Sequence, residues 1–158
     1  MSVIIQHLDS RSSFNENFTK WLTAVISDLM EEYNLAGGEV GVIIAGDKLL
    51  HKLNLQYRAK DDPTDVLSFS YLDDTAEQID ENEFAVGDIY ISFDRIIVQA
   101  EEAGHSLQRE AALLVIHGML HLLGFDHEHD HDAELMQQKE RSLMEKYDLY
   151  FAGGVGHG

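Results

Sequence analysis

Three histidines stand within HGMLHLLGFDH, residues 117–127, at a spacing suited to gripping one metal ion. His117 and His121 are four apart, and on an α-helix such residues share a face with Cβ atoms about 6 Å from each other. Two imidazoles at that separation can share a cation. Gly124 can adopt the left-handed conformation that ends a helix and reverses the chain, so that His127 swings back with a third nitrogen. Three neutral imidazoles with a fourth position open is the pattern of catalytic zinc, whereas structural zinc usually takes four protein ligands, often thiolates. The chain has no cysteine, so a thiolate-rich structural site is excluded. Asp126, beside His127, is the nearest candidate for a general base or for orienting a ligand.

The element that must hold the first two imidazoles runs over 107–123, with Ser106 as its N-cap. Ala111, Leu113, Leu114, Val115, Ile116, Met119, Leu120 and Leu122 make it apolar almost all round, which predicts a buried helix. An imidazole there needs a partner to offset its desolvation, so two on one face carry information that one would not. Gly118 in mid-helix costs about 1 kcal/mol relative to alanine, which points to a close approach by a neighbouring element. His129 and His131 alternate with Glu128, Asp130 and Asp132 and read as a solvated loop. His105, beside Gly104, reads as a turn, and His7, His51 and His157 carry no signal. Asp65 and Asp88 flank strands, either as acceptors that orient ligand imidazoles or as turn and cap residues.

Around that helix the periodicities predict strands at 2–8, 39–45, 66–71 and 86–93, each short and β-branched or alternating. Apolar residues from Phe14 to Met30 recur at helical spacing over 14–33, ending at Gly37 and Gly38. A short helix follows Gly46, another spans about 94–104, and a last one about 132–147. Pro63 fixes a turn before the third strand. The order βαβαββααα predicts an α+β fold: a small mixed four-stranded sheet packed with helices, the metal site on a buried helix in metalloprotease-like fashion. One domain is expected over 1–152, with a flexible tail at 153–158.

The three histidines with Gly124 have the spacing of the metzincin proteases, except that Gly118 stands where those enzymes carry the glutamate that serves as base. That selects a metal and selects against peptide hydrolysis. The same segment resembles the signature H-G-x-L-H-L-x-G-Y-D-H of the YbeY family of bacterial metal-dependent endoribonucleases. LNLQYRAKDDPTDVLSFS at 53–70 is similar to that family's L-N-x-x-Y-R-x-K-D-x-P-T-D-V-L-S-F-P, and GDIYIS at 87–92 to its G-D-I-x-I-S strand. Ser70 stands in place of proline, which would have withheld a ladder donor, and Phe125 in place of tyrosine.

The resemblance implies a single-strand-specific endoribonuclease that carries one Zn2+ per chain on His117, His121 and His127. It implies work in 16S rRNA 3′-end maturation and ribosome quality control. Partners would be single-stranded rRNA and the small ribosomal subunit or its assembly factors, with neither DNA nor membrane. It also singles out Arg58, whose guanidinium could balance charge developing on phosphorus. With Gly118 in place of glutamate, base work falls to activated water, to Asp126 or to the RNA 2′-hydroxyl, and the sequence leaves all three open. Two rivals remain: a metal-dependent hydrolase of another substrate, and a non-catalytic assembly factor in which zinc only stabilises the fold.

The net charge of −18 runs against a nucleic-acid binder. Much of the acid is concentrated, however: DDTAEQIDENE at 73–83 holds six acidic residues and no basic one, and EHDHDAE at 128–134 follows the histidine motif. His51, Lys52, Arg58 and Lys60 gather in the opposite sense. No apolar run approaches the ~20 residues that span a bilayer, and the first residues lack a basic region followed by an apolar one. With no cysteine either, the expected home is the cytoplasm.

Overall fold

Branching at Cβ stiffens valine and isoleucine into extended backbone, and the two segments richest in them pair. In the computed structural model of the chain, which describes residues 2–72, 84–125 and 130–152, β1 (Ser2–His7) lies parallel to β2 (Gly38–Ala45), with Ile5 opposite Val42. β2 is in turn parallel to β4 (Phe84–Ser92), and β3 (Val66–Ser70) is antiparallel to β4. The sheet is therefore mixed and four-stranded, in the order β1-β2-β4-β3, and β3 is an edge. The expected α+β architecture and element order are the ones found.

Helix α1 (Glu16–Glu32) links β1 to β2 and buries Phe18, Trp21, Leu22, Val25, Ile26, Leu29 and Met30, the stripe its periodicity predicts. It starts at Glu16 rather than at Phe14 because the Asn15 side chain accepts from Phe18 N–H at 2.8 Å and caps it. Helix α2 (Asp47–Arg58) begins at Gly46, which has no side chain to cap with. Asp94 does that work from α3 (Phe93–Ala103), accepting from Asp47 N–H at 2.7 Å. At the other end of α2, Asn54 is buried; its Nδ2 donates to Asp62 O at 2.8 Å and fixes the loop that carries Lys60.

Helix α4 (Leu107–Leu122) is capped by Ser106, whose Oγ accepts from Arg109 N–H at 3.0 Å. Ala112, Ile116, Met119 and Leu120 are buried along it, as its composition predicts. The cost of Gly118 has its reason here. A Cβ at this position would stand 2.7 Å from Ile89 Cγ2 and 3.2 Å from Val66 Cγ2, so α4 can lie on β3 and β4 only with glycine there. Gly124 has φ of 100° and closes the helix: its N–H donates to His121 O and that of Phe125 to Leu120 O, a Schellman end.

Helix α5 (Asp130–Ala152) runs further at both ends than expected. It continues past Tyr147 because Phe151, one turn on, packs with Tyr147 against Trp21 and Phe18, with ring centroids 4.5–6.4 Å apart. The tail 153–158 lies outside the described residues. Among those described, no helix is long and apolar enough to cross a membrane.

Contrary to expectation, the amide of residue 70 lies outside the ladder. Asp65 O accepts from Ser92 N–H at 2.9 Å, and Tyr71 N–H donates to Val86 O at 3.0 Å. Inward bonding alternates along an antiparallel strand, so residues 65, 67, 69 and 71 face β4 while 66, 68 and 70 turn their peptide groups to the open edge. A proline at 70 would have withheld no ladder donor.

Candidate metal centre and the cleft beside it

One turn of α4 separates His117 from His121, and their rings face each other, with centroids 4.7 Å apart and Nε2 atoms 3.2 Å apart. Tetrahedral zinc at about 2.0–2.1 Å from each nitrogen sets neighbouring ligand atoms about 3.3–3.4 Å apart. The two imidazoles therefore stand at the spacing of one edge of such a site. His117 Nδ1 lies 2.5 Å from Glu140 Oε1, a residue of α5. An ionised carboxylate can only accept, so Nδ1 carries the proton and Nε2 keeps its lone pair towards His121. Both partners are largely withdrawn from solvent, the side chains of His117 and Glu140 being 34% and 20% exposed. His127 and Asp126, the remaining sequence candidates here, lie outside the described residues.

Glu140 had no place in the sequence reading, yet it leaves a trace there. Met136, Met144 and Tyr147 form the buried stripe of α5, and Glu140 falls midway between the two methionines on the same face. An acid inside an apolar stripe needs a partner. Among the described residues, Asp65 and Asp88 bond to groups other than the imidazoles of His117 and His121. Asp65 Oδ2 accepts from Gln99 Nε2 at 3.3 Å, and Asp88 Oδ2 from the Tyr71 hydroxyl at 2.7 Å. That bond to Asp88, together with burial, pushes the Tyr71 phenol up to about 12, so it remains a neutral donor.

Both histidines open onto a cleft of about 880 Å³. α4 forms one wall with His117, His121 and Leu122, the edge strand β3 the second, and the end of α2 with the loop after it the third, through Tyr57, Arg58 and Lys60. Arg58 is thus brought into the same cavity as the two histidines. Its Nη2 donates to Ser68 O at 2.7 Å, and its guanidinium lies 5.6 Å from the centre of the Phe69 ring. Tyr57 packs edge-on against Phe69 at 5.3 Å and is 59% exposed, which leaves an aromatic surface beside the two cations. Ser68 Oγ donates to Gly118 O at 3.0 Å and ties the edge strand to the helical turn between the histidines. The space a glutamate at 118 would need is filled by Ile89, Ser68 and Val66, so a metzincin-type base has no room.

Comparison with known proteins bears on the same residues. The sequence profile of the family described as Endoribonuclease YbeY matches residues 4–148. The chain is 37% identical over 150 residues to the protein named Endoribonuclease YbeY in Pelotomaculum thermopropionicum, covering 94% of this chain and 99% of that one. Its counterpart of the same name in Desulforamulus reducens is 40% identical over 153 residues, covering 94% and 99%. The one in Bacillus subtilis is 37% identical over 154, covering 94% and 98%. Among solved structures, the solution structure of TM1509 from Thermotoga maritima superposes with a TM-score of 0.64 at 26% identity, covering 99% of this chain and 96% of that one.

Proposed function

The chain belongs to the YbeY family of endoribonucleases, and from that premise we propose that it cuts single-stranded RNA at a zinc site formed by His117, His121 and His127. The observation that carries this reading is the 3.2 Å approach of the two Nε2 atoms at the wall of a cleft that also holds Arg58. One zinc per chain would supply Lewis-acid polarisation of a phosphoryl oxygen and activation of water.

The chain's own residues do the rest. Glu140 holds the His117 ring by its Nδ1 proton and so aims Nε2. Arg58 spends one donor on Ser68 O and keeps the rest of its planar fork for the oxygens of a phosphodiester. Ser68 and Gly118 fix the distance between the edge strand β3 and the histidines. Asp126, adjacent to a ligand, is our candidate for holding or taking the proton of the attacking group.

We assign the substrate to 16S rRNA at its 3′ end, during maturation and ribosome quality control in the cytoplasm. The small subunit or its assembly factors would present the RNA, and one domain over 1–152 would suffice. A peptidase is disfavoured because the pocket of its base is filled at Gly118. The test is purified, zinc-loaded protein against structured and single-stranded rRNA fragments, with His121→Ala as the control for contaminating nuclease. Cleavage confined to single-stranded fragments and absent from the variant is the expected result. Equal cleavage by both would remove the assignment.

A further inference from the structure

Strand β3 lines the cleft with its open edge, and its peptide groups there are unevenly covered. Val66, Ser68 and Ser70 point N–H and C=O outward. Two of the carbonyls are occupied: Thr64 Oγ1 donates to Val66 O at 3.4 Å, and Arg58 Nη2 to Ser68 O at 2.7 Å. The amides of Ser68 and Ser70 have no acceptor among the described residues. With two of its three outward carbonyls occupied and the amides of Ser68 and Ser70 kept, this edge is poorly matched to an added peptide strand, which needs donors and acceptors in alternation. It suits an anion. Arg58 and Lys60 stand on the facing wall, and among the described residues the one carboxylate in the lining, Asp65, is turned to Gln99.

We propose that the backbone amides of Ser68 and Ser70 bind non-bridging oxygens of the RNA backbone and set the path of the strand past the histidines. The proposal rests on the RNA-cleaving reading and adds the residues that would steer the substrate. Residue 70 has particular weight. The resembled motif ends L-S-F-P, so a chain of that pattern offers no amide at 70, whereas Ser70 here supplies one donor more. Because that amide lies outside the ladder, Ser70→Pro deletes the donor and leaves the pairing of Tyr71 with Val86 in place.

The experiment uses the zinc-loaded, 15N-labelled protein and a short single-stranded 2′-O-methyl oligoribonucleotide. The Ser68 and Ser70 amide resonances are expected to move downfield on titration. Ser70→Pro should raise Kd about 3- to 10-fold, the range for losing one ordinary hydrogen bond in a solvent-open cleft, with zinc content and Tm unchanged. Its dependence of log Kd on log salt should keep the wild-type slope, since no charge is lost, whereas Lys60→Ala should reduce that slope by about one. Ser70→Ala, which keeps the amide, should bind like wild type. Resonance shifts confined to Arg58 and Lys60, with Ser70→Pro binding normally, would overturn the proposal and leave the RNA reading intact. Shifts of both amides by an extended peptide and not by RNA would overturn it in favour of strand addition. A wild type that binds no oligoribonucleotide at all would remove the RNA reading beneath it.

Discussion

His117 on α4 and Glu140 on α5 are joined by a bond of 2.5 Å from Nδ1 to Oε1, so the orientation of one imidazole is set by a helix none of whose described residues lines the cleft. If that carboxylate aims the ring at a metal, Glu140→Ala should weaken zinc binding about 10- to 100-fold, the usual effect of removing such a support. Glu140→Gln, which still accepts through its amide oxygen, should lose much less. Competition with a chromophoric chelator measures both, and an alanine variant with wild-type affinity would show that the bond is only a helix–helix contact.

Arg58 separates chemistry from architecture. Its guanidinium is exposed and lies on Phe69. Arg58→Ala should keep zinc and Tm but cut RNA about 10²–10³-fold more slowly, as when one transition-state donor is removed. Lysine should restore only part, because a point charge does not reproduce the fork. Cleavage at the wild-type rate by the alanine variant would make Arg58 an ordinary surface residue.

Gly118 makes a prediction about stability. Alanine there gains helix propensity of about 1 kcal/mol but forces its Cβ to 2.7 Å from Ile89 Cγ2. Overpacking costs roughly 1–3 kcal/mol, so the net effect should be a loss of up to about 2 kcal/mol in urea denaturation. Gly118→Glu should unfold the domain rather than confer peptidase activity. A soluble glutamate variant of normal Tm would show that α4 is free to move off the sheet.

Acid sensitivity should trace in part to Asp94. Its carboxyl is held below the usual carboxylate range, first by the hydrogen bond from Asp47 N–H and then by Arg11. A folded pKa below the unfolded value, near 3.9, gives stabilisation that is present above that value and lost as pH falls through the folded one. Asp94→Asn should therefore lower Tm at neutral pH and flatten the fall of Tm from about pH 5 downwards. Parallel wild-type and variant curves would mean that the charge on Asp94 contributes nothing measurable to the acid sensitivity.

The fold was legible because its signals are local. Valine and isoleucine runs gave the strands, Ser106 and Gly124 the ends of α4, and Gly118 announced a close approach that Ile89 and Val66 supply. What escaped was set by tertiary contact. The far end of α5 depends on Phe151 meeting Trp21 and Phe18, which no spacing within 132–147 reveals. Glu140 reaches His117 only because α5 packs on α4, and the part played by Asp65 and Asp88 was decided by Gln99 and Tyr71 across the sheet. Which amides of β3 face outward follows from two ladder bonds and from nothing in the residue types.

The central claim is that the histidines hold a metal on which RNA cleavage depends. Elemental analysis of untagged wild type and His121→Ala, paired with cleavage of one single-stranded rRNA fragment by the same preparations, tests it most directly. About one zinc per chain and cleavage are expected in wild type, with zinc and cleavage lost together in the variant. Full zinc in His121→Ala, or undiminished cleavage without it, would show that these histidines hold no metal on which cleavage depends.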